Sequence, residues 1–503
     1  MSSTDRRTFL KAGAAASTLA LSGCDRFYHA VSHMLGATVP EQIAAPDGAA
    51  VDPIHHLLSR AGFGPWPGDV ERVRELGAEA WLDEQLAPET IDDAACEILA
   101  RRFESIHMSA RELYEFKKPR AVEELTQMTL LRAIYSRRQL FEAMVHFWTD
   151  HFNIDMSKSD CAWLKIADDR DVIRRHALGN FRDLLHASAT SPAMLVYLDG
   201  RANRKGSPEE QPNENYAREL MELHSLGVHG GYTQKDVMEV ARCLTGWTIT
   251  RKPGIFHPDM TVFHKHAHDD GEKVVLGTVI PAGGGEQDLE RVIDLVSAHP
   301  STAKFVATKL CRRFVADDPP AALVERTAEV FLRSRGDVKS LLRTVLLSEE
   351  FRASAGAKLK RPFHFVASAM RALGADTDAG DPVIDYLTRL GHAPFQFPTP
   401  DGYPDEAPPW LGTMLWRWNF ALALATNRIP RTHVDLKHLG EAVGKDDAGS
   451  PVVPFMRYLL GRRPTDGEIG AIWKYLGQSE NGPAERRAEA VGLVLASPAF
   501  QRG

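Results

Sequence analysis

Three clusters in this sequence have the residue types and spacings that chemistry needs. The first runs from Asn213 to His224. On a helix, at about 100° per residue, Asn215, Glu219 and Glu222 fall within about 60° of one another. Tyr216, Leu220 and Leu223 make a separate apolar stripe that predicts a core-facing side. Two carboxylates and an amide along one face can bind a hard divalent cation, or hold one raised-pKa acid beside an ionised one. In that reading Glu219 and Glu222 are the catalytic carboxylates, one of them a base. The same spacing also describes a solvated face, with Arg218 on the far side placed to pair with Glu214 one turn earlier.

The second cluster is His146-Phe-Trp-Thr-Asp-His151. Phe141, Met144, Val145, Trp148 and Phe152 recur at helical spacing and predict a buried stripe. His146 and Asp150 are one turn apart on a shared face and can chelate one metal ion. His151 points roughly the other way, so all three serve one site only if the helix ends near Asp150. A histidine at the core margin with a backbone partner fits the pattern equally. The third cluster is His257, His264, His266, His268 and Asp269. Imidazoles at this density in an irregular segment suit a transition metal, and His264, His266 and His268 alternate strictly.

The elements that must position these residues read as mainly α. Helical periodicity covers roughly 69–87, 91–116, 120–152, 165–178, 215–226 and 233–246, and resumes at 287–298, 300–316, 320–334, 337–348 and 360–374. Asp52-Pro53 reads as a cap followed by Pro at the first helical position. Thr233 with Asp236 reads as an acidic capping box. A small insertion near 249–281 breaks the pattern with Pro, Gly and a Val274–Ile280 run that suggests a short hairpin or an irregular loop. Pro394 to Pro409 is a long Pro-rich loop, and helices return to the chain end. The domain expectation is a signal at 1–23, a tether at 24–50, a large multi-helix domain at 51–430 carrying the insertion, and a C-terminal helical extension at 431–503.

The first 24 residues bear on location. Arg6-Arg7-Thr-Phe-Leu-Lys11 precedes a short, mildly apolar run, too short to span a bilayer. It resembles a bacterial twin-arginine export signal, whose cargo crosses the membrane folded. Leu21-Ser-Gly-Cys24 resembles a lipoprotein cleavage box, in which Cys24 is lipidated. The expectation is export to the periplasm with inner-membrane anchoring through Cys24, and membrane contact only through that lipid. A net charge of −7 argues against a nucleic-acid surface, and deleting residues 1–23 makes it more negative. Cys96, Cys161, Cys243 and Cys311 form no C-x-x-C pair, and Cys243 and Cys311 sit in helical patterns as buried thiols. There is no G-x-G-x-x-G, Walker loop, H-E-x-x-H, G-x-S-x-G or C-x-x-C-H.

Several phrases resemble one family, the domain of unknown function 1800. They include His56-Leu-Leu-Ser-Arg-Ala-Gly-Phe-Gly64, Phe147-Trp-Thr-Asp-His-Phe152, Asn213 to Val228, Leu244-Thr-Gly-Trp247, His268-Asp269, Lys273 to Gly277, His299 to Ala303 and Pro400-Asp-Gly-Tyr403. Where this family commonly has His-Asn after the Trp, this chain has Thr149-Asp150. The resemblance implies an exported, uncharacterised protein, often paired with another exported family that looks sulfatase-like. It favours His151 over His146, and His268-Asp269 over the other loop histidines. His151, Glu219, Glu222, His268 and Asp269 are therefore expected to converge on one divalent metal ion. Two readings of function follow. One is a metal-assisted hydrolase or oxidoreductase of the periplasm. The other is a non-catalytic helical lipoprotein that binds or presents an exported partner enzyme.

Overall fold

An apolar period near 3.6 underlies the helices, some started by a side-chain cap and others, such as Lys118–Tyr135 and Gln139–His151, without one. In the computed structural model, which describes residues 24–36, 38–206, 211–250, 260–446 and 449–503, Asp52 caps the helix Pro53–Ala61 by accepting from the N–H groups of Ile54 and His55. Thr233 and Asp236 close the expected capping box on Gln234–Cys243. Among the described residues there are 24 α-helices against six short strands in three two-stranded ribbons, so the protein is mainly α. Arg6, Arg7 and His257 lie outside the described residues, and so does the side chain of Cys24. No helix among the described residues is long and apolar enough to cross a membrane. Cys96, Cys161, Cys243 and Cys311 are all buried and free.

Local chemistry breaks three of the long periodic segments. The 120–152 pattern becomes Lys118–Tyr135 and Gln139–His151. Buried Asp93 causes that break. It accepts from Ser136 Oγ and from the Arg137 N–H, both at 2.7 Å, and so takes a backbone donor out of helix geometry. The 69–87 pattern divides at Gly77, whose φ of +94° no helix accommodates. The 91–116 pattern holds one short helix, Ala94–Ala100, followed by two 3₁₀ turns. The Val274–Ile280 run is a hairpin, Lys273–Val275 against Thr278–Ile280, turned by Leu276-Gly277 with both φ positive. A second ribbon in the insertion pairs Trp247–Ile249 with Thr261–Phe263.

The buried side chains fall into two cores. One is built from residues between Leu57 and Phe351. The other joins Ile43, Phe63 and the Lys118–Tyr135 helix to the chain from Phe363 to Phe500. The helix Gln139–His151 lies at the seam: Met144, Val145 and Trp148 belong to the first core and Ala143 to the second. Residues 24–35, read from sequence as part of a tether, are helical. Residues 43–48 run along the C-terminal region, with Ile43 N–H on Ala442 O and Arg457 Nε on Pro46 O.

Candidate functional site

The seam helix fixes the only group of three metal-ligating side chains among the described residues. Met144, Val145, Trp148 and Phe152 of its stripe are buried as the periodicity predicts and Phe141 is half-buried, and Trp148 Nε1 donates to Ala177 O at 2.9 Å. That orientation puts His146 and Asp150 on the opposite flank, with His146 Nδ1 3.6 Å from Asp150 Oδ2. His392 arrives from the turn after the helix Asp381–Arg389, where its N–H bonds Leu387 O at 2.9 Å. Its ring stacks on Trp410 at 5.0 Å and meets His146 edge-on at 5.6 Å. One ligand atom from each of His146, Asp150 and His392 lies within 4.8 Å of the others. They border a cavity of about 20 Å³ with Phe63, Thr149 and Tyr403, space for roughly one water.

The Pro-rich loop holds this flank in place. Asn153 Nδ2 donates to Phe397 O at 2.9 Å and Thr399 O at 2.8 Å. Tyr197 and Tyr403 hydroxyls donate to Pro398 O and Ala393 O. Gly402, at φ +75°, lies so close to the Asp150 carbonyl that no Cβ fits between them.

A fourth residue decides what the triad can do. Arg361, ahead of the helix Pro362–Ala372, places Nη1 2.6 Å from Asp150 Oδ2 and Nη2 3.0 Å from His146 Nδ1. Its Nε is 3.6 Å from Asp405 Oδ1. Burial works against the Arg361 charge, but Asp150 and Asp405 more than offset it, so its pKa is raised. Burial also outweighs Arg361 at Asp150 and lifts that carboxyl. His146 and His392 are driven well below the ordinary histidine range, first by burial and then by Arg361. Both imidazoles are therefore neutral.

Their tautomers follow from their partners. A guanidinium only donates, so His146 Nδ1 accepts and its proton sits on Nε2. The Phe363 N–H donates to His392 Nδ1 at 3.3 Å, which again leaves the proton on Nε2. Each ring thus offers an N–H donor, and the carboxylate is already paired with a cation. By distance the three residues can hold a metal ion. By charge, Arg361 already occupies Asp150 Oδ2 and His146 Nδ1, two of the atoms such an ion would use.

Of the residues expected to form one metal site, His151 is linked through His224 to the helix that carries Glu219 and Glu222, and His268 and Asp269 lie in the insertion. Glu219 and Glu222 are half-buried on the helix Asn215–Glu222, with Tyr216 and Leu220 buried behind them. Burial and the Glu222 charge push the Glu219 carboxyl up. Glu222 accepts from the Tyr232 hydroxyl at 3.3 Å, and Arg218 pairs with Glu214 at 3.0 Å. His151 is buried among Phe147, Trp148, Phe152 and Phe181, with Nε2 on His224 O at 3.1 Å. His268 is buried too, bridging Thr245 O at 2.8 Å and Asp288 Oδ2 at 3.2 Å, and Asp288 also binds Lys273 at 2.6 Å. Asp269 pairs with Arg242 at 2.7 Å. None of these five belongs to the one ligand group of three among the described residues.

A family model described as a protein of unknown function, DUF1800, matches residues 56–502. The chain belongs to that family. No curated protein and no solved structure matches it. Several residues of the family phrases serve packing and capping in this fold. Arg60 Nε donates to Phe314 O at 3.2 Å and Nη2 to Arg313 O, which caps the carbonyl end of Pro300–Phe314. Gly64 O accepts from Arg371 Nε at 2.6 Å. Asn213 Oδ1 accepts from Asn215 N–H, and Asn215 Nδ2 reaches Leu198 O. His392 and Arg361 are the site residues that sequence reading missed. His392 stands alone in sequence, and Arg361 ends a short basic run that reads as ordinary surface.

Proposed function

We propose that this chain is a non-catalytic helical protein of the periplasm, exported by the twin-arginine route and anchored through Cys24, which docks an exported sulfatase-like protein. One observation carries the reading. Leu411, Leu415 and Trp418 recur at i, i+4 and i+7 and are 55%, 62% and 50% exposed. They continue from a 3₁₀ turn into the helix Met414–Ala425. Residues 407–427 contain a single charged side chain, Arg417, and it is fully buried. An uncharged apolar ridge at this spacing fits a hydrophobic groove on a partner. The Trp418 indole is held in place by Nε1 donating to Ala496 O at 3.2 Å, so little side-chain entropy is lost when it is covered.

The test is co-expression of the two exported proteins, purification of both and measurement of their affinity. Leu415→Asp and Trp418→Ala should each weaken the complex at least about 30-fold, as expected for an anchor worth about 2 kcal/mol. Equal affinity in both variants overturns the docking surface. Self-association of the pure chain, lost in the same variants, would assign the ridge to a second copy instead.

The metal-assisted enzyme reading retains one observation, the convergence of His146, Asp150 and His392. The Arg361 guanidinium between two of them weighs against it. Elemental mass spectrometry of protein purified from periplasm distinguishes the readings. A stoichiometric metal that is lost in His392→Ala would restore the enzyme.

A further inference from the structure

The fully buried lysines of this fold each have an acceptor. Lys165 meets Asp168, Lys273 meets Asp288 and Lys358 meets Asp317, each at 2.6 Å, and Lys360 Nζ reaches Ser368 Oγ at 3.0 Å. Lys309 differs. It is half-buried on the helix Pro300–Phe314 and its Nζ is open to solvent. It makes no hydrogen bond or ion pair among the described residues.

Its helix face is held from both sides. Phe305, Lys309 and Arg312 recur at i, i+4 and i+7 and so share that face. The Phe305 ring lies 6.1 Å from His151, and a Cβ on Gly227 would stand only 2.9 Å from Phe305 Cδ2. Arg312 Nη1 pairs with Glu406 of the Pro-rich loop at 2.9 Å. Lys309 therefore sits between the Leu226-Gly227 corner and that loop, with Nζ 5.5 Å from the centre of the Phe305 ring. Burial pushes its ammonium down to about 8 from 10.5, against the charges of Asp150, Asp405 and Asp401 and with help from Arg312. Asp401 also acts on the half-buried Glu219 carboxyl.

From an unbonded amine fixed beside a ring, with carboxylates around it and none upon it, we propose that Lys309 is a covalent binding site for an uncharged aldehyde or ketone, captured as an imine. The neutral Nζ attacks the carbonyl carbon, forming a C–N bond and giving one proton to the oxygen. The C–O bond then breaks, Nζ gives up its second proton, and the oxygen leaves as water. The step needs no oxidant or reductant. At pH 7 the neutral amine is about 300-fold more abundant on Lys309 than on an ordinary lysine. Charge selects the ligand: an anionic carbonyl compound meets Asp150, Asp401, Asp405 and Glu219, and a neutral one does not.

The experiment uses the purified full chain at pH 7, benzaldehyde as the neutral carbonyl, and cyanoborohydride to reduce any imine to a stable amine. Mass spectrometry of the digested chain gives a labelling rate for each lysine. Lys304, exposed on the same helix, is the internal reference. Lys309 should label at least about 10-fold faster than Lys304. Its rate should saturate with benzaldehyde, as binding requires, while that of Lys304 stays linear. With 4-carboxybenzaldehyde the advantage of Lys309 over Lys304 should fall at least about 5-fold, because that probe carries a charge of the same sign as the surrounding carboxylates. Equal rates at the two lysines, a linear rate at Lys309, or the same advantage with the anionic probe overturns the proposal.

Discussion

Arg361→Met tests the reasoning about the triad most directly. The substitution keeps the volume of the side-chain stem and removes the cation. In the parent, Arg361 is 4% exposed and Asp150 16% exposed at the side chain, and the two lie 2.6 Å apart. Removing one partner of a buried pair costs about 3–5 kcal/mol, because the other charge is left uncompensated. His146 Nδ1 loses its donor as well. Against a total stability of about 5–15 kcal/mol, the loss should move the urea midpoint strongly at constant slope. Arg361→Met combined with Asp150→Asn should recover much of it, since Asp150 is then neutral and Asp405, the other carboxylate on Arg361, keeps Lys358 at 3.8 Å. Zinc supplies the second arm. In the parent the guanidinium holds Asp150 and fixes the His146 proton on Nε2, so zinc should leave the midpoint unchanged. In Arg361→Met the ligand atoms are released, and zinc at about 100 times its Kd would add about 2.7 kcal/mol. A loss below about 1 kcal/mol in Arg361→Met refutes the ion-pair account. Equal stabilisation of parent and variant by zinc refutes the exclusion of a cation and returns the triad to the metal reading.

Four further outcomes are expected. Gly402→Ala, at φ +75° and against the Asp150 carbonyl, should cost about 2–5 kcal/mol by urea unfolding, whereas Gly391→Ala, at φ +72° with open space, should cost only about 1–2 kcal/mol. Burial pushes the Asp93 carboxyl up to about 6 from 3.8, against the hydrogen bonds from Arg137 and Ser136. Its ionised form is therefore disfavoured on folding: the penalty is absent below the unfolded pKa and complete above the folded one. Asp93→Asn should gain about 2–3 kcal/mol on the parent between pH 4 and pH 7, read as the difference of their urea midpoints; a constant difference would count against this. Arg6→Lys with Arg7→Lys should leave folded protein in the cytoplasm by fractionation, and normal export would contradict the twin-arginine reading. Cys24→Ala should release the chain to the soluble periplasm or block its processing, and unchanged membrane fractionation would contradict lipidation.

Features that depend on neighbours within a few turns are legible in the amino-acid order. The helical class, the Asp52 and Thr233 caps, the stripe of Met144, Val145 and Trp148, the Leu276-Gly277 hairpin and the Arg218–Glu214 pair all follow from spacing, and the structure contains them. The shared face of His146 and Asp150 was legible for the same reason, because one helical turn separates them. What lay beyond reach was the third dimension of charge. His392 comes from 242 positions after Asp150, and Arg361 from 211, and no period connects them. Nor does any local rule tell a helix that Asp93, 44 residues earlier, will take a backbone donor at Arg137 and divide one periodic segment into two. The clustering of Glu219, His151 and His268 was inferred from residue chemistry together with the family resemblance. Residue type says what a side chain can bind. Only packing decides whether its partner is a metal ligand, a carbonyl or an arginine.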